Sequence, residues 1–353
     1  MQNAKIQDLT PPMASIVVVC FNGIDITRRC LESLFSQDYQ AKEIIVVDNG
    51  SQEDIRGMVA EAFPEARFMR LESNHGFAGG YNRGMEAARG KYIAIINNDA
   101  VALPQWLGSL VEVAEKDQET GAIASIIIDG NRPDVLDSCG VGMALDGMSR
   151  QLMRGQAPPA LKAPKEVLVP SGCACLFRAD ALKAVGLFDE SFFAYCEDTD
   201  LGLRLRWAGF KTVVAPAAQV THNYSMTAGK YSLQKVFWVE RNHLWVAIKN
   251  FPFLLLPLLP FATAWRYIIQ AYAVLSRSGD LNSFTRQSDF LQVAATIARA
   301  YLSAIAGMPL ILRKRFLSLR KRRIGHFQMI KTIWHFKMSM VEVIIGSQKQ
   351  KAL

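Results

Sequence analysis

Residues that build metal clusters or disulfide frameworks are scarce in this chain. Among 353 residues there are 6 Cys and 5 His. The cysteines, at 20, 30, 139, 173, 175 and 196, form no CxxC pair and no spacing with His that would make a zinc site, so they read as buried thiols. No Gly-Lys-Ser/Thr follows a glycine-rich loop, which excludes a Walker A nucleotidase, and no dinucleotide fingerprint follows the first strand. No internal repeat is found. The first 14 residues are polar and proline-containing, with no apolar h-region, so no export signal is expected and the compartment expected is the cytoplasm. No uninterrupted apolar run reaches the roughly 20 residues that a membrane-spanning helix needs. Acidic residues nearly vanish toward one end. Residues 241–353 hold 17 Lys and Arg against 3 Asp and Glu, net +14, whereas residues 1–240 carry net −6. Two parts with different partners are implied, an acidic catalytic-looking part and a basic, aliphatic tail suited to an anionic surface.

What is present in the first part alternates between strands and helices. Residues 15–20 and 43–47 are short β-branched runs ending in turn residues, with a helical period over 26–35 between them. A strand, a helix and a strand without a hairpin signal imply a right-handed parallel crossover. The pattern continues through a helix at 52–62, a weak strand at 66–71, a helix at 82–88 and a strand at 92–96, so a doubly wound α/β unit is expected. Its polar clusters, Asn22, Asp48 and Asn97-Asn98-Asp99, fall at the carboxyl ends of strands, where such sheets bind ligands. Further on, the spacing gives a helix at 105–116, a strand at 122–128, a hairpin-like stretch at 139–144, and strands at 167–169, 172–177 and 212–215. Residues 155–164 have the composition of a loop, either a surface linker or a lid.

Asp48 follows a β-branched run and can accept from a pyrimidine N–H or a ribose hydroxyl, or simply form an Asx-turn. Asn74 to Gly84 places four glycines among Gly76, Gly79, Gly80 and Gly84, permitting close backbone approach to an anion or making an ordinary turn. Asn97, Asn98 and Asp99 leave an apolar strand together, and a carboxylate beside amide oxygens can hold Mg²⁺ or Mn²⁺. His222 could add an imidazole ligand or serve the core. Glu197, Asp198 and Asp200 crowd the first turn of a helix that Gly209 ends. The helix N-terminus favours the carboxylates and their mutual repulsion opposes it, which is how a general base is tuned. For Asp200 the alternative is an i,i+4 pair with Arg204.

In this order the motifs resemble those of the inverting family 2 glycosyltransferases of the GT-A fold, most closely rhamnosyltransferase-like and galactofuranosyltransferase-like bacterial members. The resemblance covers about residues 13 to 250. It implies a nucleotide-facing turn at Asn22, a base-reading Asp48, and a donor loop containing Gly76, Gly79 and Asn82. It further implies a metal motif at Asn97-Asn98-Asp99, with Asp99 and His222 as ligands of a divalent Mg²⁺ or Mn²⁺, and Asp198 as catalytic base. Glu197, Asp200, Arg204 and Arg241 are expected as acceptor-binding or orienting groups. The first position of the metal motif is Asn97 rather than Asp, which leaves one carboxylate there.

The resemblance implies a catalytic domain at 13–248 with a mixed sheet flanked by helices; composition implies a helical, basic, membrane-associating region at 249–353. Proline-broken apolar segments flanked by Arg suit the membrane interface, on the cytoplasmic side, with oligomerisation or partner binding as the alternative. The expected activity is transfer of a sugar, a deoxyhexose such as rhamnose, from a nucleoside-diphosphate sugar to a lipid-linked or polysaccharide acceptor. A galactofuranosyl or hexosyl transferase and an inactive nucleotide-sugar-binding scaffold are the alternatives. No nucleic-acid partner is expected, since that would leave the acidic half unexplained.

Overall fold

The computed structural model describes residues 13–223, 232–276 and 290–345. The polar N-terminal segment, apart from its last two residues, lies outside them. The first strands form where β-branched residues run together: β1 (Ala14–Cys20) pairs in parallel with β2 (Lys42–Asp48) across the helix α1 (Ile24–Phe35). After α2 (Ile55–Ala62), β3 (Arg67–Arg70) adds outside β2. Next, α3 (Gly76–Ala87) crosses back to β4 (Tyr92–Asn97), which pairs in parallel on the other side of β1. This is the doubly wound unit expected. The helix expected at 82–88 begins six residues earlier, because the glycine-rich stretch is itself helical.

Beyond β4 the sheet becomes mixed. A short β5 (Ala100–Ala102) and α4 (Trp106–Lys116) precede β6 (Thr120–Asp129) and β7 (Arg132–Ser138), and the hairpin of β8 (Val141–Met143) and β9 (Ser149–Gln151) forms a separate two-stranded sheet. Then come β10 (Lys165–Val167), β11 (Ala174–Arg178), α5 (Ala179–Val185), α6 (Glu197–Trp207) and β12 (Lys211–His222). The main sheet runs β10-β12-β6-β11-β4-β1-β2-β3, with β5 on β12 and β7 on β6. Strand β11 lies antiparallel between β4 and β6, and β12 is parallel to β6. The strand expected at 212–215 is thus twelve residues long, and it carries His222 as its last residue. Leu136 N donates to Gln156 O and Gly155 N donates to Leu136 O, which ties the start of the 155–164 segment to β7.

The tail is helical: α7 (Leu233–Asn250), a 3-10 helix over Phe253–Leu258, α8 (Leu259–Leu275), α9 (Phe290–Ala306), α10 (Met308–Leu319), α11 (His326–Phe336) and α12 (Met340–Ile345). The boundary expected at 248/249 falls inside α7. Its residues Trp245, Val246 and Ala247 share one apolar cluster with Phe192, Cys196 and Trp207 of the first part and with Ile311, Met329 and Ile333 of the tail. Either face of the sheet carries its own apolar cluster: Ile16, Val18, Val46 and Ile96 pack against α1 and α4, while Val17, Val47, Ile93 and Ile95 pack against α3 and α6.

Candidate active site

Two side chains expected as metal ligands meet at the end of the sheet. Ala100 is opposite His222 in the β5–β12 ladder, and Asn223 N donates to Asp99 O at 3.0 Å, so Asp99 and the imidazole are brought face to face. His222 Nε2 lies 3.2 Å from Asp99 Oδ1, a buried carboxylate oxygen left without a hydrogen bond. On the far side of the ring Nδ1 is 2.8 Å from Asp137 Oδ2, on β7. Burial alone would push the imidazolium pKa down, but Cys173, Asp137 and Asp99 raise it above its ordinary value.

These residues fit a divalent cation. An unsatisfied carboxylate oxygen faces an imidazole nitrogen, and the other ring nitrogen is anchored by a carboxylate, as second-shell partners anchor metal-binding His. Among the described residues no three His, Cys, Asp or Glu side chains converge on one point. The protein would therefore contribute two donors, and phosphate oxygens and water would complete the shell, which is usual for Mg²⁺. Asp137 is a site residue that the sequence reading missed.

The other members of the metal motif face elsewhere. Asn97 Oδ1 accepts from the Tyr81 hydroxyl at 3.1 Å, and Asn98 Nδ2 donates to Thr27 Oγ1 at 3.0 Å. They lock β4 to α3 and α1.

Around the first strands the expected donor residues also hold one another. Asn22, at φ +60°, accepts from Gln52 N and donates its own N–H to Ser51 Oγ, both at 2.8 Å. Asp48 is fully buried; Oδ1 accepts from Ser51 N at 2.8 Å and Oδ2 from Arg70 Nη1 at 2.7 Å. The Asx-turn alternative describes it, and the carboxylate is not presented to a base in this conformation.

The glycines of Asn74 to Gly84 allow close packing of the chain against itself. Gly76, at φ +70°, lets the chain pass Phe193, whose carbonyl a Cβ at 76 would meet at 2.4 Å, and Ala78 N donates to that same oxygen. At Gly79 a Cβ would meet the Cβ of His75 at 2.7 Å. Asn82, expected near the donor sugar, is buried and fastens α3 to the next segment, donating to Phe188 O and Glu190 Oε1 and accepting from Phe188 N.

The three acids at the start of α6 separate by environment. Glu197 is buried with Oε2 unpartnered; burial and then the Asp198 charge hold its pKa well above the carboxylate range, which favours the neutral acid. Asp200 has no exposure. Burial would raise its pKa, but Lys249 and Arg204 prevail and hold it below the ordinary value. Its contacts are Arg204 Nε at 2.8 Å, Lys249 Nζ at 2.9 Å and Asn250 Nδ2 at 2.9 Å. Arg204 also donates to the carbonyls of Val185, Gly186 and Leu187. Asp200 and Arg204 therefore form a buried structural cluster, and acceptor contact is excluded for them in this conformation. Asp198 alone of the three is partly exposed. Its Oδ2 accepts from Gly172 N at 3.0 Å and its Oδ1 from Thr199 N at 2.6 Å. Crowding by surrounding protein raises its pKa and these N–H groups pull it back, leaving it raised.

Asp198 and the metal pair adjoin through two consecutive residues: Gly172 holds Asp198, and the thiol of Cys173 lies against His222. The backbone leading into α6 is strained, with Phe193, Tyr195 and Cys196 all at φ between +64° and +70°. Arg241 and Asn242 on α7 clamp it. Arg241 Nη2 donates to Ser191 O and Phe192 O, and Asn242, fully buried, donates to Phe192 O, Ala194 O and Tyr195 O. Of the two roles expected of Arg241, the orienting one describes these contacts.

Residues 15–186 match the model of glycosyl transferase family 2. Among curated relatives, a poly-beta-1,6-N-acetyl-D-glucosamine synthase of Staphylococcus epidermidis is 24% identical over 270 residues, covering 73% of this chain and 63% of the relative. An N-acetylglucosaminyl-diphospho-decaprenol L-rhamnosyltransferase of Mycobacterium tuberculosis is 25% identical over 237 residues, 61% of this chain and 77% of the relative. The chain thus spans less than two thirds of the length of the synthase. Among solved structures, that of GalNAc-T7 with UDP, GalNAc and Mn²⁺ superposes with a TM-score of 0.57 at 16% identity, over 69% of this chain and 48% of that one. At that identity the likeness establishes a shared fold.

Proposed function

Because residues 15–186 are a family 2 glycosyltransferase domain in a GT-A fold, we propose that the chain is an inverting enzyme in which Asp198 is the general base. Asp198 is the one first-turn acid that an incoming hydroxyl can reach, and it adjoins the Asp99–His222 pair; that arrangement carries the reading. The Asp198 carboxylate takes the proton of the acceptor hydroxyl as its oxygen attacks the anomeric carbon from the face opposite the diphosphate. The bond to the diphosphate breaks and the configuration inverts, with no covalent bond to the protein. Asp99 and His222 would hold Mg²⁺ or Mn²⁺, which supplies positive charge to neutralise the departing nucleoside diphosphate. Glu197, whose carboxyl is held toward its neutral form by burial and by the Asp198 charge, adds little negative charge to the site, and Arg241 and Asn242 hold the turn that carries the base.

For the donor we favour a deoxyhexose such as rhamnose, and for the acceptor a lipid-linked or polysaccharide hydroxyl, at the cytoplasmic face of the membrane. The rhamnosyltransferase named among the relatives supports this, as does the exposed basic and apolar tail. The N-acetylglucosamine polymer synthase supports the hexosyl alternative. The test is Asp198→Asn, assayed against a panel of nucleoside-diphosphate sugars with Mn²⁺. Transfer should fall by about 100-fold or more, while binding of the donor stays near that of the parent. Undiminished transfer would remove Asp198 as the base.

A further inference from the structure

The 3-10 helix Phe253–Leu258 and α8 carry an apolar stripe that nothing covers among the described residues. Phe261, Trp265, Ile268, Tyr272 and Leu275 recur at alternating spacings of four and three, the pattern of one helical face, and all are more than half exposed. Phe253, Leu254 and Leu258 extend the exposed surface ahead of it.

By length and composition, Phe253–Leu275 could cross a membrane. The opposite face of α8 argues against that use. Arg266 is fully buried there, its Nε 2.6 Å from Asp146 Oδ2 and its two terminal nitrogens each 2.8 Å from Glu240. Asp146 belongs to the β8–β9 turn and Glu240 to α7, so the guanidinium ties α8 to the body of the enzyme. Drawing α8 across a bilayer would leave three charges without partners.

A cluster of cations adjoins the stripe. Arg320, Lys321, Arg322 and Arg323 are all exposed in the turn between α10 and α11. Arg322 Nη1 lies 2.7 Å from His326 Nε2, and the His326 ring is 5.4 Å from that of Phe253, where the stripe begins. Arg320 also stands 4.3 Å over the exposed ring of Phe316. Aromatic and aliphatic side chains bordered by such a cluster are what an anionic lipid surface recognises. A second copy of the chain fits less well, since a symmetric contact would bring its own four cations to the same face.

We propose that this surface seats the enzyme in the plane of an anionic bilayer, the stripe of α8 at the acyl boundary and the 320–323 turn among the headgroups, with α8 not crossing. The inference rests on the reading of the enzyme as one that works at a membrane.

The test is flotation of the full-length protein with vesicles of phosphatidylcholine alone and of phosphatidylcholine with phosphatidylglycerol. The parent should float with the anionic vesicles and be released by an alkaline carbonate wash, which leaves spanning helices in place. Phe261→Ser combined with Trp265→Ser should lower partitioning about tenfold or more. Arg320→Ala and Arg322→Ala should each lower it about fivefold. These side chains are exposed, so the melting temperature and transfer to a short water-soluble acceptor should stay at parental values, which separates lost binding from lost folding. Stripe variants that float like the parent, or a parent that resists the carbonate wash, would overturn the seat and leave the catalytic reading standing. A parent that floats with neither vesicle would overturn both the seat and the membrane location, and a dimer broken by the stripe variants would then assign the face to a second copy. Absence of transfer to any soluble acceptor would instead count against the catalytic reading, whatever the flotation shows.

Discussion

Asn242 holds the Tyr195 carbonyl at 2.7 Å, and with it the backbone from which α6 and the proposed base begin. The same amide reaches the carbonyls of Phe192 and Ala194 at 3.0 and 2.9 Å. Three non-glycine residues of this turn sit in left-handed conformations, each at a cost of about 1–3 kcal/mol, so the turn keeps its shape only because its surroundings over-determine it. One buried side chain supplies much of that constraint.

Asn242→Ala removes the three hydrogen bonds and lets the turn relax, displacing Asp198 while leaving Asp99 and His222 in place. A misplacement of about 1 Å costs about a hundredfold in rate. The expected result is a fall of that order in kcat with nucleotide-sugar affinity held, and Asn242→Asp, which lacks the donors, should do no better. Steady-state kinetics beside a donor titration checks this. Parallel loss of donor binding would show that the substitution damages the fold as a whole.

Asp137→Asn tests the anchoring of His222. The carboxylate fixes the ring through Nδ1 at 2.8 Å, and loss of such a partner typically lowers metal affinity about 10–100-fold. Titration of Mn²⁺ in the presence of a nucleoside diphosphate, read by calorimetry, gives the affinity without an activity assay. An unchanged affinity would take Asp137 out of the site.

The pH dependence has two parts of opposite sign. On the proposed role of Asp198 as base, transfer needs it ionised; its pKa is raised in the folded protein, so kcat should fall with acidification at a pH above the ordinary Asp value of about 4. Stability follows Asp189 and Asp200, whose folded pKa values lie below their unfolded ones. Such groups stabilise the fold above the unfolded pKa, and that contribution is lost as pH falls toward the folded value. Melting temperature should therefore hold through the range in which kcat declines and drop only below a pH of about 4. Coincident declines would mean that acid inactivation is unfolding.

The central sheet was legible because β1, β2 and β4 are nearly unbroken apolar runs, a pattern that strands buried on both faces produce. The acids on the first turn of α6 and the stop at Gly209, at φ +86°, were legible for the same local reason. Asp137 was not. It lies 85 residues before His222, at the buried end of a strand whose first residues are exposed, and only the pairing of β7 and β12 on either side of β6 brings them together. The glycines of α3 read as a loop because helix propensity counts them as breakers. Their missing Cβ atoms are what let the helix approach the sheet, since side chains at Gly80 and Gly84 would come within 2.7 and 2.2 Å of Val19 and Val17. In the sequence Arg266 interrupts an apolar run, and the fold turns it inward onto carboxylates supplied by two other elements.

Gly76→Ala separates packing from backbone strain at the mouth of the site. Gly76 sits at φ +70°, and an added Cβ would lie 2.4 Å from Phe193 O and 2.8 Å from its ring, so the methyl group must displace the strained turn that precedes Asp198. Gly155, at φ +78°, has no atom within 4 Å of such a Cβ, so Gly155→Ala bears only the cost of a left-handed residue, about 1–2 kcal/mol. Gly76→Ala bears that cost and the displacement as well. The expected outcome is a larger fall in melting temperature for Gly76→Ala, together with a loss of kcat that Gly155→Ala does not show. Equal losses of stability with kcat intact in both would mean that the contact between Gly76 and Phe193 does not hold the base in place.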